Sequence, residues 1–381
     1  MDESTLLRKV RSDVPEASGD ILDKGRAALF NRINESGSTA VKRPKQKARV
    51  RWASAGIGAI GTAALVTGLI VTNVIGLAGW RGSAEPAAAE VLHSAALASI
   101  GNSDALLAPG QYLRVDTAAV YGATTQIGDS ARMVSYLTIT NDELYVPADR
   151  AQDWVWVRGL AEPYDTFGPE SERVAEESWA AVVSERGADY KELVRAPKGA
   201  FYSYENVHSP DHLAELSRNP YLLLNHIYKT TMGQGNSPDG QALTWIADTL
   251  RFGAVPADLR AALYQAAAMI PGVEITEKQA NLNGATGVAI GRLEDANGIR
   301  QDLIIDPTTG QLIGERQVLT HEGDEQSGFP IGTTISWTAI TTTVVDGAPE
   351  GGSANGVFDE MGCTQTAPGV SQCPPEGAPD E

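Results

Sequence analysis

Cysteine is nearly absent from this chain: 381 residues hold two, Cys363 and Cys373. A disulfide scaffold is therefore excluded as the source of stability. Histidine is scarce too, with five residues, and the stretch 1–51 has neither His nor Cys. A zinc-type module cannot be built there, because such sites draw mainly on those side chains. Positive charge is in deficit, with 30 Lys and Arg against 48 Asp and Glu and a net charge of −18. Direct nucleic-acid binding needs the opposite balance. The catalytic signatures G-x-x-x-x-G-K-[ST], H-E-x-x-H and G-x-S-x-G are missing. The many carboxylates cannot be assigned to an acid pair from sequence. We therefore read the chain as not an enzyme, with no catalytic residue, cofactor or metal assigned. What the chain does have is 42% hydrophobic residues, enough to bury a core in one large domain or two ordinary ones.

The net charge is unevenly divided. Residues 1–51 carry 12 basic and 7 acidic residues, so they are positive by 5 while the remainder is negative by 23. Between the two lies Trp52–Trp80, 29 residues without a charge. About 20 apolar residues at ~1.5 Å each cross a bilayer core, so this run is long enough to span. Trp52 and Trp80 bracket it as interfacial aromatics. Lys42, Arg43, Lys45, Lys47, Arg49 and Arg51 precede it, which places the N-terminus in the cytoplasm and the bulk outside. Ala87-Ala88-Ala89 resembles a signal-cleavage site. The charged leader is too long for one, however, and the apolar run exceeds the usual ~7–15 residues, so an uncleaved signal anchor is expected. Gly56, Gly58 and Gly61 match G-x-G-x-x-G, but no buried strand precedes them and the match is accidental. Ala64, Gly68, Thr72 and Gly76 fall on one helix face, where they permit close helix contact or simply reflect glycine tolerance in a membrane helix.

The expected organisation is a basic cytoplasmic tail over 1–51, a transmembrane signal-anchor helix over 52–80, an extracytoplasmic domain over 81–346 and a Gly/Pro-rich disordered tail over 347–381. Two short amphipathic helices are expected in the cytoplasmic tail, at 2–11 and 16–33. They suit docking on a partner's groove, and the basic end equally suits anionic lipid.

In the outer domain, period-two patterns predict strands at 112–115, 132–140, 143–146 and 154–158, with Asn141-Asp142 as a turn. Ser209-Pro210, Asn219-Pro220 and Pro256 open helices, a further helix covers 241–251, and the last runs from Ala257 to Ile270. Strands return at 273–277, 286–293, 300–305 and 312–319, with a turn at Asp306-Pro307-Thr308-Thr309-Gly310. The β-rich stretch 331–345 is expected to close the sheet. Strands, then helices, then strands indicate an α+β fold, with a mostly antiparallel curved sheet and helices packed on it, preceded by the transmembrane helix and the short helical tail.

Candidate chemistry is sparse. His208, Asp211 and His212 resemble a metal constellation, but His208 precedes the N-cap and does not share a helix face with His212. Asp302 and Asp306 invite a cation, although turn chemistry accounts for Asp306. Trp154, Trp156, Trp179, Tyr202, Tyr204, Trp245 and Trp337 supply either core packing or the walls of a cavity for an apolar ligand. Cys363 and Cys373 form a possible local disulfide outside the cytoplasm, with two free thiols as the alternative.

Several segments carry a resemblance. They are Leu7–Pro15, Val91–Ala96, Gly110-Gln111-Tyr112, Tyr145–Asp149 with Trp154, Pro256–Val273 and Leu303–Gly314. Taken in order, they resemble a family of actinobacterial single-pass membrane proteins of uncharacterised function, often encoded beside extracytoplasmic-function sigma factors. The resemblance covers most of residues 5–320, and the Cys-bearing tail departs from it. At fold level the outer domain is also similar to lipoprotein-carrier-like half-barrels. The resemblance implies a membrane-anchored protein with a sensing or scaffolding outer domain and a cytoplasmic tail that regulates a sigma factor. The alternative is a membrane-tethered binding module for a lipid or other apolar ligand.

Overall fold

Every helix in the described residues starts at a proline. The computed structural model describes residues 82–102, 104–127, 132–201, 207–321, 328–354, 364–367 and 370–372. Helices α1 (Pro86–Gly101), α2 (Pro169–Arg186), α3 (Pro210–Glu215), α4 (Pro220–Thr230) and α5 (Pro238–Arg251) carry Pro in the first turn, and Pro256 is the N-cap of α6 (Ala257–Ala267). Proline fits there because the first helical N–H groups have no partner and its φ is already helical. Side-chain caps complete three of these starts. Ser209 accepts from the His212 N–H, Asn219 from Tyr221 and Leu222, and Ser237 from Gly240. Each such cap is worth about 1 kcal/mol.

The strands form one large sheet, antiparallel except at one edge. In chain order they are β1 (Tyr112–Ile127), β2 (Arg132–Pro147), β3 (Asp153–Arg158), β4 (Glu162–Thr166) and β5 (Glu192–Pro197), then β6 (Glu274–Leu282), β7 (Ala285–Glu294), β8 (Ile299–Asp306), β9 (Gln311–Leu319), β10 (Thr334–Val345) and β11 (Ser353–Ala354). Their order is β11-β5-β3-β2-β1-β10-β9-β8-β7-β6, with β4 on β2. Only β11 on β5 is parallel. A separate two-stranded ribbon pairs β12 (Thr364–Ala367) with β13 (Val370–Gln372). The α+β class and the antiparallel sheet expected from the sequence are both present.

The sheet separates two apolar clusters. On one face α1, α4, α5 and α6 close over Ile290, Leu303 and Ile305 with Leu92, Leu223, Ile246 and Leu263. Ile304 points the other way and joins Ala289, Val120, Leu137 and Trp337. Strand β8 is thus buried on both faces, since successive strand side chains alternate. Leu282 of β6 comes within 2.6 Å of the Cβ position that Gly314 of β9 leaves empty, three strands away.

The Asp306–Gly310 turn forms as expected: Asp306 accepts from the Thr308 N–H at 2.9 Å and the Thr309 hydroxyl at 2.8 Å. Gly310 has φ +71°, a left-handed conformation, and a Cβ there would strike the Ala95 carbonyl and Ser99. Ser99 Oγ donates to the Gly310 carbonyl at 3.0 Å. Behind it the buried Arg260 donates to the Val255 carbonyl at 2.9 Å and pairs with Asp104 at 3.1 Å. These bonds join α1, the β8–β9 turn and the start of α6.

Several sequence expectations are corrected. Asn141-Asp142 is not a turn: both lie inside β2, paired with Ala118 and Thr117. Sixteen consecutive β1–β2 pairs in one register outweigh a local turn preference. The stretch 331–345 joins the sheet as β10, which lies between β1 and β9. The predicted helix 257–270 ends at Ala267. Helix α2 and strands β4 and β5 were not foreseen. Within the stretch read as a disordered tail, Ser353–Ala354 pair with β5, and Arg195 donates to the Gly351 and Pro349 carbonyls beside them. The stretches read as a cytoplasmic tail (1–51) and as a membrane span (52–80), with the small-residue face expected there, lie outside the described residues. Among the described residues no helix is long and apolar enough to cross a membrane.

Candidate functional site

Between the sheet and helices α3–α5 lies a cavity of about 1060 Å³. Its floor follows from strand periodicity. Val115, Thr117, Ala119 and Tyr121 of β1 all face it, one every two residues. Their partners on β2, Thr140, Asp142 and Leu144, share that face, and Trp156 of β3 sits opposite Leu144. The centre of the floor is made of small residues: Thr117, Ala119, Thr140 and Thr338. Bulkier side chains there would fill the space with core, so this local choice of residues creates the volume.

The roof comes from three helices. Leu213 of α3 and its C-cap Leu216, Thr230 of α4, and Trp245 and Thr249 of α5 line it. Helix α5 ends over β1. Gly253 follows with φ +75°, and a Cβ there would lie 2.7 Å from Val115 Cγ1, so only glycine allows the chain to turn this close to the floor. That turn fixes Phe252. Its ring stacks on Trp154 at 5.5 Å and on the His208 imidazole at 4.4 Å. Trp154 is fully buried and donates its indole N–H to the Arg150 carbonyl at 3.1 Å. Trp156 packs against Phe201 at 5.5 Å and carries the Arg158 guanidinium over its face at 4.7 Å. Val207, His226 and Thr230 are exposed and mark the mouth.

The ionisable groups are shaped by burial. Desolvation pushes the His208 imidazole down to about 4, with Arg251 and His212 acting in the same direction. His208 is therefore neutral at physiological pH. Burial raises the Asp142 carboxyl, partly offset by the Gly159 N–H and Arg158. It also raises Asp248, against the pull of Arg251. Arg251 bridges Asp248 at 3.1 Å and Glu315 at 2.9 Å.

The structure separates the candidates named from the sequence. His208 and His212 do line one cavity, joined by His226, but Asp211 is turned outward onto Lys198 at 2.6 Å. Among the described residues no group of three or more His, Cys, Asp or Glu is placed to hold a metal. Asp302 is fully buried and saturated by Arg300 and Arg316, both at 2.9 Å, and by the Thr276 hydroxyl. Of the seven aromatics, Trp156 and Trp245 line the cavity, Trp154 supports it, Trp179 lies on α2 and Trp337 belongs to the opposite face. Tyr202, Tyr204, Cys363, Cys373, Ala64, Gly68, Thr72 and Gly76 lie outside the described residues. Sequence reasoning missed Phe201, His226, Arg251 and Phe252. Phe252-Gly253 after a helix is a C-terminal signal that would have placed Phe252 at a turn.

No known family model matches the chain, and none of the curated proteins compared with it does.

Proposed function

We propose that the chain is a membrane-tethered extracytoplasmic binding module for a lipid or other apolar ligand. One observation carries this reading: a cavity of about 1060 Å³ with an aromatic and aliphatic lining, in the place where a solid core would otherwise be. Small-molecule sites are concave, mostly apolar and carry a few polar groups, and their volumes run to about 1,000 Å³. The approach of Leu282 to Gly314 supports a curved sheet, and the roof helices suit the half-barrel likeness noted above. The tether rests on the uncharged run 52–80 and the basic cluster before it. The binding is non-enzymatic, and nucleic acid is not a partner.

The test is native mass spectrometry of the full chain released from phosphatidylcholine nanodiscs. Bound lipid or another apolar adduct is expected. Ala119→Trp, which projects an indole from the middle of the floor, is expected to lose it. An adduct-free protein that also takes up no added fatty alcohol would overturn the reading.

The regulator reading is favoured by a different observation, the division of charge into +5 before the span and −23 after it. In that reading ligand occupancy is the signal, and the basic tail contacts a sigma factor in the cytoplasm. Co-purification of the full chain with the sigma factor encoded beside it checks this. Absence of a complex, together with unchanged target transcription on deletion, would remove the idea.

A further inference from the structure

The main cavity continues past Arg251. A second cavity of about 360 Å³ adjoins it, and both are lined by Tyr121, Asp248, Arg251 and Thr338. Aromatic and aliphatic side chains make up most of the larger chamber's wall. Arg316, Phe329, Ile335 and Trp337 line the smaller one together with Gln301, Glu315, Gln317 and Ser336. The last four form one hydrogen-bonded chain. Ser336 donates to Gln317 at 3.4 Å, Gln317 to Gln301 at 2.8 Å, and Gln301 to Glu315 at 2.8 Å. The other Glu315 oxygen accepts from Arg251 at 2.9 Å.

The acceptors in this chain are thus already supplied with donors. Arg251 is in the reverse position. A guanidinium carries five N–H donors. Asp248 and Glu315 each engage one of its terminal nitrogens, and its side chain is 37% exposed where the chambers meet. Burial pushes both partner carboxyls up, and the arginine between them pulls both back down. The donor surplus at the junction suits an anionic acceptor with two or more oxygens, which a guanidinium grips in a forked geometry.

We propose that the ligand is an amphiphile with an acidic head, a carboxylate or phosphate, bound by Arg251 where the two chambers meet while its apolar body lies in the larger one. This rests on the apolar-ligand reading and adds the head chemistry to it.

The experiment follows tryptophan fluorescence of the full chain in phosphatidylcholine nanodiscs, titrated with oleic acid, lysophosphatidic acid and oleyl alcohol. The alcohol reports the apolar chamber alone, and the two acids separate a carboxylate from a phosphate preference. At least one acid is expected to bind about tenfold or more tightly than the alcohol, the size of a charge-assisted hydrogen bond. Arg251→Gln is expected to bring that ratio close to one while alcohol binding persists. Glu315→Gln removes a competing carboxylate and keeps the arginine, so it is expected to raise the ratio. It also serves as the decisive variant if Arg251→Gln does not fold. Equal binding of acids and alcohol by the unaltered chain overturns the head assignment and leaves the apolar reading intact. So does a ratio that neither substitution moves. Failure of all three ligands to bind overturns both.

Discussion

His208 should make the domain acid-sensitive, and replacing it should remove that sensitivity. The imidazole is packed flat on Phe252 and held near 4, from an ordinary value of 6.5, chiefly by burial and then by Arg251 and His212. In the unfolded chain it regains its ordinary value. Between the two values the unfolded state binds more protons, so stability falls as pH drops through that window. The loss begins below about 6.5 and is complete near 4. By pH 5 it amounts to about 2 kcal/mol, and over the full window to about 3, taking ~1.4 kcal/mol per pH unit. Carboxylates add their own dependence at low pH, so the informative quantity is a difference between variants. His208→Phe preserves the stack on Phe252 and cannot take a proton. Urea unfolding of both full chains at pH 7 and pH 5 should show that the unaltered protein loses about 2 kcal/mol more than His208→Phe. Parallel losses would mean that the imidazole is not held neutral by its surroundings, and the account of this wall of the cavity would fail.

Other substitutions test the frame. Gly310→Ala forces a Cβ into Ala95 and Ser99 from a left-handed backbone. It should cost about 2–4 kcal/mol and lower Tm by roughly 5–10 °C in a thermal scan. Trp154→Ala empties a fully buried site and loses a hydrogen bond, so chemical denaturation should report about 3–5 kcal/mol of destabilisation. Arg260→Ala strands the Val255 carbonyl, while the exposed Asp104 carboxylate keeps water and the Ala257 N–H. A loss of about 1–3 kcal/mol, the cost of one unmet buried acceptor, is expected in the same assay, larger than the effect of removing the exposed Arg173–Glu177 pair.

The helices were legible where the sequence combined a cap with a proline: Ser209-Pro210, Asn219-Pro220 and Pro256. Helix α2 escaped because its buried face is only Ser171, Val174 and Ala175, too little for an apolar stripe. Its Gly168-Pro169 start and first-turn Glu170 and Glu172 were the available signals. Asn141-Asp142 misled because turn preference is local, whereas strand pairing sums over the whole of β1. The cavity was legible only as a list of aromatics. No periodicity in one strand reveals that Phe201 and Phe252, about fifty positions apart, belong to one wall. Arg251 is the last residue of its helix, where a cation is unremarkable, and Glu315, its partner, lies on a distant strand. Three of the segments that carried the family likeness are architectural. Val91–Ala96, Pro256–Val273 and Leu303–Gly314 meet in the packing of α1, α6 and the β8–β9 turn, away from the cavity.

The central position of β10 bears on how the polypeptide acquires its shape during synthesis. Strands β1–β5 and β6–β9 can each assemble from near neighbours, but β1 and β9 stay open along one side until residues 334–345 emerge and fill the gap. Until then two unpaired strand margins face one another, each a template for wrong partners. Assembly therefore waits on contacts of long sequence separation, which are slow to form. If this domain is delivered across a membrane N-terminus first, most of it must be held as two unfinished halves. A ribosome stalled or a chain cut before Thr334 should yield an aggregation-prone product, not a smaller folded one.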